Sequence, residues 1–275
     1  MVTKSDYTKR EVKASQSVLI ELVHLLGEFK DSMVVVGGSV PPLLYPEYAS
    51  EYVGTLDIDI ALDHRTIMES YETISKYLQK KGYIVDDRQP FIFYRDISMP
   101  EGDTVRIQVD FLSGEYGGTG KSHRTQKVQD IKARKARGCD LAFTENIEVF
   151  IEGELPGGGK DRVKCKISGI VPYIVMKGIT LANRLKEKDA WDIYYCLIHH
   201  PEGLDNLIKK FKPYINHGLV REGLNNIKEK FESPDHIGPQ HVVDFMEITD
   251  EEEKERIKRD AFERVNYLLK GLGII

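Results

Sequence analysis

Cysteine is scarce in this sequence of 275 residues. Cys139, Cys165 and Cys196 are odd in number, far apart and form no CxxC pair, which excludes a disulfide framework or a zinc knuckle. A reducing compartment is expected, with the cytoplasm as the default. Long apolar runs are also missing. Nothing approaches the roughly 20 residues that span a bilayer, so no membrane partner is expected. The N-terminal stretch MVTKSDYTKREVKASQ is polar and lacks the apolar segment of a secretory signal. There is no basic excess either. The net charge is −5, unlike a protein that coats nucleic acid, so any such contact must be local. Tryptophan occurs once, as Trp191, and its apolar neighbours make it a core residue rather than a base-stacking platform.

What is present is ordinary for a globular chain. Hydrophobic residues make up 41% and charged residues 30%, enough for one large domain or two modest ones, each with a core. Charge is uneven. Lys121, Arg124, Lys127, Lys132, Arg134, Lys135 and Arg137 crowd a stretch whose one acid is Asp130, and the balance reverses from Asp250 to Glu255. Solvated helix faces would explain both. The sharper reading of the first is a patch for phosphates or a nucleic-acid substrate.

Apolar spacing predicts an amphipathic helix over 10–29, then a short buried strand at Met33–Val36. Gly37-Gly38-Ser39 ends that strand and is expected to open a helix, with Ser39 as N-cap and Pro41 and Pro42 in the first turn. A strand at 56–62, a helix over 66–80 closing near Gly82, and strands at 83–86, 91–97 and 104–112 follow. Segment 114–122 reads as a loop, 124–137 as a basic helix, and 146–151 with 162–168 as a hairpin. From 173 to 272 the period is helical, with breaks at 186–188, Pro201, Pro213, Pro234 and Pro239. The expected organisation is α+β: residues 1–170 with a mixed sheet, and residues 171–275 as a helical subdomain.

Chemistry concentrates at two places. In TLDIDIAL, Asp57 and Asp59 are i and i+2 on a strand and project together, while Ile58 and Ile60 point the other way. Two carboxylates this close repel, and a divalent cation relieves the repulsion. Mg²⁺ suits one or two carboxylates plus substrate phosphates and water. A polar outer strand face with nothing bound is the plainer alternative. The preceding Gly37-Gly38-Ser39 turn favours the sharper one. Glycine lets a backbone approach a phosphate closely, and free N–H groups at a helix start attract it. Asp110, in VRIQVDFLSG, is a lone carboxylate in an apolar strand, costly unless paired or metal-bound.

VVVGGSVPPLL followed by TLDIDIAL resembles the signature of the DNA polymerase β-type nucleotidyltransferase superfamily, with Asp110 matching its third carboxylate. The long gap between Ser39 and Asp57 is similar to that of the AbiEii-like toxin branch. Val40-Pro41-Pro42 departs from the small residues usual after the glycines. In the helical part, VMKGITLANRLKEKDAWDIYYCL also resembles that branch, through Lys177, Ala182, Arg184, Lys188, Asp189 and Asp192. Lys177, Arg184 and Lys188 would share one face of a continuous helix, and Asp189 and Asp192 are i, i+3 neighbours. Surface ion pairing is the plainer alternative. The resemblance covers roughly residues 30–200.

The resemblance implies a nucleotidyltransferase fold and transfer of a nucleoside monophosphate from an NTP to an acceptor hydroxyl, with release of pyrophosphate. It implies two Mg²⁺ ions on Asp57, Asp59 and Asp110, and nucleotide binding by Gly37, Gly38, Ser39, Lys177, Arg184 and Asp192, with the phosphates on Gly38, Ser39 and Lys177. Asp110 would accept the acceptor's proton and Asp189 would orient Lys177 or the nucleotide. The branch implies a toxin of a toxin–antitoxin system with tRNA or another RNA as acceptor and a protein antitoxin as partner. A small-molecule nucleotidyltransferase of the antibiotic-modifying kind and a non-catalytic nucleotide-binding or interaction protein are the alternatives.

Weaker signals are set aside. GEYGGTGKS comes close to a P-loop, but Glu115 stands where the first glycine is required. Lys121, His123 or Arg124 touching the substrate is the better reading. His199-His200 ends a helix and reads as a charge–dipole contact rather than a metal pair. His64 and Arg65 follow the carboxylate strand and are candidates for its surroundings.

Overall fold

The computed structural model describes residues 3–67, 72–99, 102–116, 124–184 and 186–275. The chain divides into two compact units. One comprises Tyr7–Leu43 and Gly54–Gly169. The other comprises the N-terminal residues to Asp6, the strap Leu44–Val53 and Ile170–Ile275.

The first unit is built on a mixed sheet of nine strands among the described residues. Helix α1 (Lys9–Leu25) is capped by the Thr8 hydroxyl, which accepts from the Glu11 N–H. Strand β1 (Met33–Val36) is buried at all four residues, as its uninterrupted apolar run requires. The one-turn helix α2 (Pro41–Leu44) leads away from it. Strand β2 (Asp57–Leu62), helix α3 (Ile74–Lys80) and strands β3 (Ile84–Val85), β4 (Ile92–Ser98) and β5 (Thr104–Ser113) follow. Then come β6 (Thr125–Val128), β7 (Ile131–Lys135), helix α4 (Cys139–Thr144), β8 (Asn146–Glu154) and β9 (Lys160–Ser168). The order is β3-β4-β5-β2-β1-β9-β8, with β7 beside β5 and β6 beside β7.

Helix α1 covers the face made by Ile58, Ile60, Ile107 and Val109. Its buried Glu21 accepts from Arg95 Nε at 2.9 Å, and Arg95 stands opposite Ile107 in the ladder. Period two therefore sends Asp57, Asp59, Gln108 and Asp110 to the other face.

The second unit is helical: α5 (Ile170–Asn183), α6 (Glu187–His199), α7 (Gly203–Phe211), α8 (Gly218–Lys230), α9 (Ile237–Met246) and α10 (Glu251–Gly271). Gly178 of α5 and Gly223 of α8 let the two helices approach closely, since a Cβ on Gly223 would lie 2.8 Å from the Val175 carbonyl oxygen. Pro239 sits in the first turn of α9 and breaks nothing, because a proline there gives up only an N–H without a helical partner.

Four expectations are corrected. Residues 124–137 are not a helix but the hairpin β6–β7. Val128, Ile131 and Ala133 are buried and Lys127 and Lys132 exposed, a period-two alternation that the density of lysine and arginine disguised. The expected helix over 66–80 is α3 alone, beginning at Ile74, and residues 68–71 lie outside those described. The Gly37–Ser39 turn is 3₁₀ and opens only one turn of α-helix, so a long helix dipole is missing there. Lys177 and Lys188 stand on two helices, not one, because the chain leaves helical geometry between Asn183 and Glu187.

Candidate functional site

Strands β2 and β5 pair in parallel, with Asp57 opposite Gln108 and Asp59 opposite Asp110. Side chains directly opposite in a ladder leave the same face, so the three carboxylates predicted from sequence stand together. Thr55 donates its hydroxyl proton to Asp57 Oδ1 at 2.6 Å, and Gln108 Nε2 donates to Asp110 Oδ1 at 3.1 Å. Neither partner was singled out from sequence. Gln108 was legible as the i−2 residue of Asp110, whereas Thr55 lies outside β2 and only its folded position reveals it.

The glycine turn is adjacent. Val36, at the end of β1, is opposite Asp59, so the chain enters Gly37 directly beside that carboxylate. Gly37 has φ +69°, and a Cβ there would overlap the Asp59 carboxyl group. A Cβ on Gly38 would lie 2.6 Å from Thr55 Oγ1. Ser39 is buried next to them. Glycine is thus required twice, once for backbone conformation and contact and once for contact alone.

On the far side of Asp110, β5 changes neighbours. Strand β4 pairs with it up to Ile92 opposite Asp110, and β7 takes over with Arg134 opposite Leu112. Arg134 Nη2 lies 3.9 Å from Asp110 Oδ2, and its guanidinium sits over the Phe91 ring at 5.7 Å. The Cys139 thiol is held well above the ordinary cysteine range, first by burial and then by Asp140 and Asp59, with Arg134 opposing. It is an unreactive core thiol.

Three carboxylates on one face are the donor chemistry that a hard divalent cation takes. Among the described residues, no group of three or more His, Cys, Asp or Glu side chains stands close enough to hold a metal ion in the orientations present. Asp57 is turned to Thr55, and Asp110 to Gln108 with Arg134 nearby. The donor set fits such an ion in type and in strand placement, with a protein cation currently beside Asp110.

The helical unit carries the second predicted cluster. Lys177 Nζ donates to Asp189 Oδ1 at 2.8 Å and forms an ion pair with Asp192 Oδ2 at 2.6 Å. Arg184 Nε donates to Asp189 Oδ2 at 2.9 Å, and Lys188 Nζ to Asp192 Oδ1 at 2.9 Å. Tyr52, on the strap, donates its hydroxyl proton to Asp192 Oδ1 and accepts one from Lys188 Nζ, each at 2.8 Å. Charges of alternating sign therefore run Arg184–Asp189–Lys177–Asp192–Lys188, ending on a phenol. Burial alone would raise Asp189 and Asp192, but Lys177 outweighs it, aided by Arg184 and Lys188 respectively, and both carboxyls are held below their ordinary range. Burial would likewise lower Lys177, but Asp189 and Asp192 hold it above the lysine range. Lys188 goes the other way: burial, with Lys177 beside it, outweighs Asp192 and lowers it. Tyr52 was invisible from sequence, being more than a hundred residues from its partners.

Other sequence candidates fall elsewhere. Trp191 is core, stacked on Tyr52 with ring centroids 5.1 Å apart. His200 hydrogen-bonds Tyr45 and Asn206, and His199 packs on Tyr48 and Tyr195. Burial lowers both imidazoles, so the predicted charge–dipole contact is replaced by neutral packing. His64 and Arg65 lie past the far end of β2, where Arg65 is bidentate to Asp63 and His64 meets Ser113. They are not part of the carboxylate cluster. Lys121, Ser122, Gly120 and His123 lie outside the described residues. The Arg124 carbonyl accepts from the Lys135 N–H.

In comparisons with known proteins, no family model, no curated protein and no solved structure matches this chain.

Proposed function

We propose that the protein is a divalent-cation-dependent nucleotidyltransferase. The observation that carries the reading is the register of β2 and β5, which sets Asp57, Asp59 and Asp110 on one face with Gly37 packed against Asp59. Asp57, Asp59 and Asp110 would hold Mg²⁺. When bound, the cation would supply charge neutralisation and Lewis-acid activation for phosphoryl transfer.

The chain's own groups do the rest. The Gly37–Ser39 turn offers backbone and the Ser39 hydroxyl to a triphosphate, and its two glycines let that backbone lie directly against the Asp59 and Thr55 side chains. Asp110 takes the proton of the acceptor hydroxyl. The hydroxyl oxygen bonds to the α-phosphorus, the bond from that phosphorus to the β-phosphate oxygen breaks, and pyrophosphate leaves. Positioned proton acceptance contributes on the order of 10²–10⁴ in rate. In the helical unit, Lys177 is committed to Asp189 and Asp192. Arg184 pairs with Asp189 as well, but about half of its side chain is exposed (48%), so it is the member of that cluster that would meet an anion.

A polyanionic acceptor such as an RNA is favoured over a small molecule by the β6–β7 hairpin. Lys127 and Lys132 are exposed and directly opposite each other. A like-charged cross-strand pair is unfavourable by itself and is relieved by an anion lying across it. The test is transfer of label from each α-labelled NTP to total RNA with Mg²⁺. Label should enter RNA with the unaltered protein and not with D57N or D59N. Equal labelling by D57N and D59N overturns the reading.

A further inference from the structure

We infer that Arg134 is a resident counter-cation of the carboxylate face, a positioning residue for Asp110 that yields its place when a divalent cation binds. This rests on the nucleotidyltransferase reading above for the identity of the incoming ion, and on the sheet alone for the role of the arginine.

The placement follows from topology. Asp110 is the last residue of β5 that faces β4, and two residues later β5 pairs with β7 at Leu112 opposite Arg134. Residues two apart share a face, so Arg134 stands on the carboxylate side, one step along from Asp110. Its Nη2 is 3.9 Å from Asp110 Oδ2, at the outer limit of an ion pair and beyond hydrogen-bond distance. Gln108 donates instead to the other carboxyl oxygen at 3.1 Å. The arginine thus screens Asp110 without locking it.

Two further features suit a cation that must move aside. The guanidinium has a second seat over the Phe91 ring, 5.7 Å from its centroid. Its side chain is 45% exposed, against 12% for Asp110, so it can swing into water at small cost while the carboxylate stays in place. Asp59 and Asp110 in direct register repel, and a nearby guanidinium offsets that repulsion. A divalent ion entering the same face must do so against the guanidinium's positive charge.

The test is Mn²⁺ binding to the full chain without nucleotide, read by the electron paramagnetic resonance of free Mn²⁺, with R134Q and R134K beside the unaltered protein. R134Q should bind Mn²⁺ about three- to tenfold more tightly, the size expected for removing one partly exposed charge at this range. R134K keeps the charge and should bind as the unaltered protein does. Unchanged or weaker binding by R134Q overturns the inference. Thermal unfolding in chelator separates this from failure of the metal reading. R134Q should lower the melting temperature, and should lower it far less on a D110N background. If none of the proteins binds Mn²⁺, the metal reading fails while that non-additivity still supports the arginine's role. A full, additive effect in chelator overturns it whatever Mn²⁺ does.

Discussion

Asp59 on β2 and Asp110 on β5 are direct register partners in a parallel pair, so two carboxylates leave the same face side by side. Like charges so placed destabilise a sheet. D59N removes one of the two like charges while keeping the size of the side chain. The same change should reduce NMP transfer by at least about 10²-fold, the scale of a lost acid–base or metal-liganding group. A large loss of stability in D59N would mean that the carboxylate is structural, and would weaken the functional reading.

Gly37 is the backbone side of the same arrangement. Its φ of +69° and its contact with the Asp59 carboxyl leave no room for a methyl group. G37A should cost about 1–3 kcal/mol in urea unfolding, from left-handed strain plus displacement of Asp59. Gly27 meets nothing within 4 Å and its φ is not in the left-handed region, so G27A is the control and should be near neutral.

The buried ion network of the helical unit makes stability depend on pH at both ends. Asp189 and Asp192 are held below their ordinary value of 3.8, so the stability they confer is present above that pH and lost as pH falls below it. Lys177 is held above its ordinary 10.5, so its contribution is complete below that pH and is lost only as pH rises past it. Lys188 is lowered and acts oppositely, with stability gained as pH rises towards 10.5. Urea unfolding should show a plateau at intermediate pH and a decline below about pH 4, where unfolded carboxylates take up protons. D192N should cost about 3–5 kcal/mol at pH 7, because it removes the buried carboxylate that the Lys177 and Lys188 ammonium groups share. It should also flatten the acid decline.

Tyr52 offers a gentler probe of the same network. Y52F removes the donor to Asp192 and the acceptor from Lys188 while keeping the ring against Trp191. A loss of about 1–3 kcal/mol is expected, the range for buried polar groups left unsatisfied. On a D192N background the loss should shrink, since the two changes share a partner.

The hairpin separates stability from binding. K127E places a carboxylate opposite Lys132 and converts a repulsive pair into an attractive one. The melting temperature should rise slightly while retention on labelled RNA falls. Falling retention together with falling stability would instead indicate damage to the hairpin.

Much of this was legible in the residues. Alternation in DIDIAL and RIQVDFL puts acids on one face and branched apolar residues on the other, and α1, β1, the β8–β9 hairpin and the helical texture after Pro172 follow from period alone. The failures have physical causes. The β6–β7 strands carry lysine and arginine where a helix surface would, and their short burial pattern shows only when Val128 and Ile131 meet across a two-residue turn. The helical period breaks near Lys186, so Lys177, Arg184 and Lys188 do not share one helical face. They converge through their carboxylate partners instead.

Local order in the chain was enough to determine which residues carry charge, which glycines could admit a close contact, and that Asp57 and Asp59 must point the same way, because a strand's geometry repeats every two residues. Only the tertiary structure decided that Asp110 is in register with Asp59, that Arg134 arrives where β5 exchanges β4 for β7, and that Tyr52 closes a buried chain of ions. Those pairings join strands and helices through contacts between residues distant in sequence, and no local periodicity carries the register between them.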